Sequence, residues 1–289
     1  MAADTSIIIA NLDSPLIDLT LKSLYRQSCL DRILEILVVG LDNWRLVSEN
    51  ELTRLIDTGK RVNAAVARNL GICQSCGTYI AFIDSDCIAD RNWLARLLDA
   101  QEKHEVVGGS VSFPIRPYWQ LCYNVSMFHE FLSTSPSGMR RNLGTLNLCV
   151  RRDVIKHVGL MDERLDRGQD TEWTLRMRRA GYNLYFESRA KILHLPQVHS
   201  FKQLITIGYR SGKFNGWVRW QYRDLIAPPP FGGNSWLLYL FSPAIGLGAT
   251  LRVFKSPRTW RYLHTFPVVF ASKIAWCWGA TRSRSLFQL

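Results

Sequence analysis

Wholly apolar runs alternate with stretches of helical periodicity along the first half of the chain. Ser6 to Ala10 is a short apolar run that ends at Asn11, with Asp13, Ser14 and Pro15 behind it. This predicts a buried first strand with a polar loop at its carboxyl end. Leu16, Leu19, Leu21 and Leu24 predict a helix over 16–28. Glu35 to Val39 reads as a second buried strand. Ala64, Ala65, Ala67, Leu70 and Ile72 predict a helix over 59–76, stopped by Gly77. Tyr79 to Ile83 is a third buried strand and runs directly into Asp84-Ser85-Asp86. Trp93, Leu94, Leu97 and Leu98 place a helix over 92–102, and Val106 to Val111 a further strand. Strands that are apolar throughout, alternating with amphipathic helices, imply an α/β fold whose parallel sheet is covered on both faces. Open sheets of this kind bind ligands at the carboxyl ends of their strands. Asn11, Asp13, Asp84 and Asp86 fall at those ends.

The pattern changes near residue 200. Lys202, Arg210, Lys213, Arg219 and Arg223 are interleaved with Phe201, Tyr209, Phe214, Trp217, Trp220 and Tyr222. Leu225 to Leu251 then has no charged residue, although Pro228, Pro229, Pro230, Gly232 and Gly233 break its first part. Tyr262 to Ala280 is a second apolar, aromatic stretch, interrupted by His264 and Lys273. Aromatic residues flank both stretches, and Lys and Arg lie between and after them, a pattern suited to a membrane interface. Neither offers about 20 uninterrupted apolar residues. A shallow or hairpin-like hydrophobic helical tail over 201–289 is the expectation, with spanning helices and an ordinary buried core as the alternatives. Residues 1–200 form the other domain.

Composition adds constraints. The 289 residues are 47% hydrophobic and 21% charged, a globular balance. A net charge of +12 favours anionic partners, namely nucleotide diphosphates, anionic lipid head groups or nucleic acid, and does not choose among them. Seven scattered cysteines and no secretory signal at Met1 point to a reducing cytoplasm rather than a disulfide framework. Cys73 and Cys76 form one close pair without partners at zinc-ligand spacing.

Three places carry candidate chemistry. Asp84 and Asp86, two apart on an extended segment, aim both carboxylates to one side. Such a pair repels unless a cation or proton lies between, and hard divalent cations take carboxylate oxygens together with substrate phosphates. Asp170, in Asp166-Arg167-Gly168-Gln169-Asp170-Thr171-Glu172, sits where a helix begins. It is either an N-cap or, if it faces a cleft near Asp84 and Asp86, a general base of raised proton affinity. His194 follows the strand-like run Ala190 to Leu193, and neutral imidazole is a common metal ligand.

With these residues in view, the chain from about Thr5 to Ser200 resembles family 2 glycosyltransferases of the GT-A fold. The landmarks occur in order: Ser6 to Asn11; Ala67-Arg68-Asn69; Tyr79 to Asp86; Leu146 to Arg152; Gly159 to Glu163; the Asp170 helix; and the strand ending in His194. By that resemblance Asp84 contacts the nucleotide and Asp86 ligates a metal on its diphosphate. Asp170 deprotonates the acceptor hydroxyl, and His194 is a further metal or diphosphate contact. Arg68 lies near the nucleotide, and Asn11 and Asp13 line its base pocket. Many relatives carry paired Asp residues after the second strand. Here Val38-Val39-Gly40-Leu41 stands there, and Asp42 alone can serve, shifted along. The usual Glu-Asp motif is Gln169-Asp170, with Glu172 nearby.

The resemblance implies an inverting, nucleotide-sugar-dependent hexosyltransferase assisted by Mn2+ or Mg2+, active in polysaccharide biosynthesis. Residues 1–200 are its catalytic domain. The basic, aromatic tail suggests a glycan or lipid-linked acceptor at the cytoplasmic face of the cell membrane. Two other readings remain open. A non-catalytic sugar-nucleotide or glycan-binding protein would not hydrolyse a donor, and a nucleic-acid-binding protein lacks any recognition motif.

Overall fold

The computed structural model describes residues 3–231 and 234–286. Gly232 and Gly233, expected to help break the apolar run, and Met1 lie outside the described residues. The chain divides into two compact units. The first comprises Met1–Ser112 and Phe131–His194, the second Phe113–Glu130 and Leu195–Leu289. Residues 113–130, expected within the first domain, thus belong to the second unit.

The first unit is built on β1 (Thr5–Leu12), β2 (Ile33–Leu41), β3 (Thr53–Asp57), β4 (Tyr79–Ile83), β5 (Cys87–Ala89), β6 (Val106–Ser112), β7 (Gly138–Met139), β8 (Asn147–Arg151) and β9 (Leu184–His194). They form one sheet in the order β3-β2-β1-β4-β8-β6-β9-β5, with β7 paired on β9. The sheet is mixed, which corrects the expected mostly parallel one. β1 to β4 run parallel, but β8 is antiparallel to both β4 and β6, and β5 is antiparallel to β9. Apolar-throughout strands report burial on two faces and carry no information about direction. The core cluster includes Ile8, Leu37, Ile80, Phe82, Leu148, Trp173 and Phe186. Helices α1 (Ile17–Leu24), α2 (Ala64–Gln74), α3 (Trp93–Gln101), α5 (Arg152–Val158) and α6 (Gln169–Arg179) complete this unit.

Register places the carboxyl ends side by side. Asn11 of β1 pairs with Gly40 of β2, which pairs with Asp57 of β3. Gly40 has φ of +138°, and a Cβ there would lie 1.8 Å from the Asn11 carbonyl oxygen. Only glycine fits this approach. Gly40→Ala is therefore expected to cost about 2 kcal/mol or more in urea unfolding, through strain and overpacking. An unchanged midpoint would show that the backbone relaxes there freely.

The second unit is helical among its described residues: α4 (Tyr118–Phe128), α7 (Phe201–Gln221), α8 (Ser235–Leu240), α9 (Ser242–Val253), α10 (Pro257–Trp260) and α11 (Phe266–Ala280). α7 and α11 pack closely where glycines remove side chains. A Cβ at Gly212 would lie 1.9 Å from the Trp276 carbonyl oxygen, and one at Gly279 equally close to that of Tyr209. The expected apolar tail is thus divided into several helices of one bundle, with α4 packed on α11. No helix among the described residues is long and apolar enough to cross a membrane.

Candidate active site

The site grows out of β4. Its last residue, Ile83, is buried, and the chain then turns at Asp84 and enters β5 at Cys87. β5 pairs antiparallel with the end of β9, setting Cys87 opposite His194. That pairing brings the Asp86 Oδ1 within 3.5 Å of the His194 Nε2. His194 is only 4% exposed. Burial pushes the Asp86 carboxyl up, but the charge and hydrogen bond of His194 outweigh it, and the net shift is downward. Asp86, Cys87 and His194 hold their donor atoms within 4.8 Å of one another. Burial raises the Cys87 thiol well above its ordinary range, so the carboxylate and imidazole are the ready donors.

Helix α2 supplies the next groups. Asn63 caps it by accepting from the Val66 N–H at 3.0 Å. Arg68, buried on this helix, donates from Nη2 to the Asp84 Oδ1 at 2.6 Å. Its Nη1 is buried without a hydrogen-bond partner. An orphaned buried donor is costly unless something in the working molecule accepts from it. Asn69, next in sequence, points to another element. It donates to the Met161 carbonyl at 3.0 Å and the Glu163 Oε1 at 2.9 Å, and accepts from the Met161 N–H at 3.0 Å. Two adjacent polar side chains of one apolar helix thereby fasten the β4 turn and the loop that leads to α6.

Asp170 is the second residue of α6. The N-cap is Gly168, in the left-handed region at φ of +74°, which answers the N-cap alternative for Asp170. Trp173, one turn further along the same face, is fully buried. Its ring meets Phe82 of β4 edge-on at 5.7 Å, and its Nε1 donates to the Gly159 carbonyl at 2.9 Å. A buried aromatic of this size contributes on the order of 3–5 kcal/mol, so α6 is held firmly on β4. With Trp173 on Phe82, Asp170 faces the end of that strand. Burial raises its carboxyl above the ordinary range, Asp84 adds to the rise, and the Thr171 N–H bond and Arg68 oppose it. Gly144 lies opposite, where an added Cβ would sit 3.5 Å from the Asp170 Oδ2.

The predicted residues at the edge of β1 and β2 are placed differently. Asn11 is buried, donating to the Leu41 carbonyl at 2.7 Å and accepting from the Ser14 N–H at 3.2 Å. Asp13, at φ of +53°, accepts from the Asn43 N–H at 2.7 Å and the Asn43 side chain at 2.9 Å. Asp42 accepts from the Leu46 and Val47 N–H groups at 3.1 and 2.8 Å. The carboxylates of Asp13 and Asp42 are engaged in shaping the loop after β2.

Sequence reasoning assigned no role to Asn69, Trp173 or Gly144, and missed β3 and β5. A polar Arg68-Asn69 pair inside an apolar helix was the available signal for Asn69. Chemically, the edge assembles a carboxylate–imidazole pair suited to a divalent cation, an arginine with an open donor, and a carboxyl of raised proton affinity within electrostatic reach.

Comparisons with known proteins bear on the family and the fold. Residues 6–120 match the model of the glycosyl transferase family 2. The chain is 29% identical to glycosyltransferase AglE of Haloferax volcanii, across 72% of this chain and 71% of that one. It is 27% identical to succinoglycan biosynthesis protein ExoM of Rhizobium meliloti, across 68% and 63%. Among solved structures, mannosyltransferase PcManGT from Pyrobaculum calidifontis, in complex with GDP-Man and Mn2+, superposes with a TM-score of 0.61 at 18% identity. That match covers 94% of this chain and 86% of the other. GalNAc-T7, crystallised with UDP, GalNAc and Mn2+, superposes with a TM-score of 0.58 at 14% identity. There the match covers 91% of this chain and 54% of the other.

Proposed function

Because this chain is a glycosyltransferase of family 2 on the GT-A fold, we propose that it moves a sugar from a nucleoside diphosphate to an acceptor hydroxyl with inversion at the anomeric carbon. The observation that carries this reading is the approach of Asp170, with its raised carboxyl, to the Asp84–Arg68 pair at the end of β4. Asp86 and His194 would hold a divalent cation, Mn2+ or Mg2+. Their donors are an oxygen and an imidazole nitrogen 3.5 Å apart, a separation that suits two ligands of one ion. When bound, such a cation offsets the negative charge that develops on the leaving diphosphate.

The residues of the chain do the rest. Asp84 fixes the Arg68 guanidinium, and the open Nη1 of Arg68 is a donor for a donor-substrate oxygen. Asp170 accepts the proton of the acceptor hydroxyl as that oxygen attacks the anomeric carbon. A single displacement with a base on the face opposite the leaving group inverts configuration. Asn11, Asp13 and Asp42 would shape the loops that border the nucleotide. The acceptor is a glycan or lipid-linked glycan at the cytoplasmic face of the membrane, a reading supported by the basic, aromatic second unit. The names of AglE and ExoM place those two relatives in glycosyl transfer and succinoglycan biosynthesis.

A panel of nucleotide sugars incubated with the protein and Mn2+ tests the assignment. One donor is expected to release its nucleoside diphosphate slowly in water, and faster with an acceptor. Proton NMR of the product should give the anomeric configuration opposite to the donor's. Retention would exclude direct displacement, and no release from any donor would leave a sugar-nucleotide-binding protein.

A further inference from the structure

Helix α9 is turned the wrong way round for a protein face bathed in water. On α9 the buried positions are Ser242, Gly246, Thr250 and Val253, two of them hydroxyl residues. Its solvent side carries Pro243, Ala244, Leu247, Gly248 and Leu251, all exposed, with Leu251 at 55%. An ordinary surface helix buries its apolar stripe and exposes its polar one. α8 adds large exposed apolar side chains to the same face. Leu238 is buried, while Trp236 is 67% exposed and Tyr239 and Leu240 are exposed beside it. These residues join across helices: Tyr239 stacks on Trp278 of α11 with centroids 5.8 Å apart, and Phe231 lies 5.3 Å from Phe241. Trp278 is tied back by its Nε1, which donates to the Ser242 Oγ at 3.0 Å. Contiguous exposed apolar surface of this kind marks an interaction face.

Charge identifies the partner. From Leu225 to Leu289 the sequence contains no Asp or Glu, yet it holds Arg252, Lys255, Arg258, Arg261, Lys273, Arg282 and Arg284. The first four are exposed: Arg252 lies in the last turn of α9 and the other three follow that helix, beside the exposed Trp260 and Leu263. A second copy of the chain would bring the same cations against these. Nucleic acid would offer phosphates, but nothing for the aliphatic Leu240, Leu247 and Leu251. A bilayer containing anionic lipid answers both: headgroups for the guanidinium and ammonium groups, and acyl chains for the leucines and tryptophans. We propose that the α8–α9 face, with the basic segment 252–261, docks flat on the surface of an anionic bilayer. This rests on the transferase reading only in supplying a reason for a glycosyltransferase to work at a membrane.

The test uses the full chain and sedimentation with vesicles of phosphatidylcholine, with or without phosphatidylglycerol. The chain is expected to bind the anionic vesicles. A variant carrying Trp236→Ser, Leu240→Ser and Leu251→Ser should lose roughly tenfold or more in partitioning. A second variant, Arg252→Gln with Lys255→Gln and Arg258→Gln, should lose the preference for phosphatidylglycerol. Both replace exposed side chains, and both should hydrolyse donor in solution at the unmodified rate. Vesicle binding unchanged in the first variant overturns the proposal. So does a stable dimer that the serine variant dissolves, or binding of duplex nucleic acid in place of vesicles. Absence of hydrolysis in every protein with vesicle binding intact would sink the transferase reading alone.

Discussion

Asp170→Asn is expected to lower the transfer rate by about 10³-fold or more while leaving donor affinity within roughly twofold, since a positioned base contributes on the order of 10²–10⁴. The substitution keeps the shape of the side chain and its place in the first turn of α6, and removes only its capacity to take a proton. Trp173 on Phe82 holds the helix in either case. Isothermal titration with donor and Mn2+, beside a transfer assay, separates the two effects, and equal loss of donor binding would count against the base. The pH behaviour has a definite sign. Burial first, and Asp84 second, raise the Asp170 carboxyl above the ordinary carboxylate range. Activity that needs the ionised form should therefore rise with pH through a value above that range. For stability the raised folded value means that the native state holds this proton more tightly than the unfolded chain. That contribution is fully present below the unfolded value and is lost as pH rises through the folded one. At neutral pH the ionised group then costs stability in the ligand-free protein. Asp170→Asn should melt at a higher temperature than the unmodified chain at pH 7, with the difference shrinking in acid. A lower melting temperature at pH 7 would mean that the carboxylate is held by interactions stronger than its burial.

Asp86→Ala should act on binding first. Removing it leaves His194 as the sole remaining member of the carboxylate–imidazole pair, and a ligand lost from such a site typically costs at least as much as the 10–100-fold attached to its supporting residues. Donor affinity measured with Mn2+ is expected to fall to the value measured without it, and transfer to fall by roughly 10²-fold or more. The informative quantity is the ratio of donor affinities with and without the ion. A ratio unchanged by the substitution would remove Asp86 from the metal site, whatever happened to the rate. Asp86 is held below the usual carboxylate range because His194 outweighs its burial. The Asp86 carboxylate is thus ionised near neutral pH, as a ligand of a cation must be.

Much of the strand and helix succession is legible in residue order because its cause is local. Tyr79 to Ile83 is apolar in every position and forms β4 over the same residues. Trp93, Leu94, Leu97 and Leu98 repeat at helical spacing and are buried on α3. Asp84 and Asp86 were visible as two carboxylates at the end of a buried strand. β3 escaped because Thr53 to Asp57 contains Arg54 and Asp57, and as an edge strand it needs no continuous apolar run. β5 escaped because three residues carry no period.

Pairing between distant segments was decided elsewhere. Nothing near Asp86 in the sequence announces His194; the antiparallel register of Cys87 on His194 brings them together. Nothing near Asp170 announces Phe82, and the edge-on contact of Trp173 with that ring sets the distance to the β4 turn. The direction of β8 and the transfer of residues 113–130 to the second unit belong to the same class. Local sequence determined which segments are strands, which are helices and which residue types could do chemistry, because backbone conformation and side-chain periodicity are set within a few neighbours. Which carboxylates share an edge, and which helix faces remain open to their surroundings, was decided only by the tertiary structure. Those outcomes follow from burial shared among residues far apart in the chain.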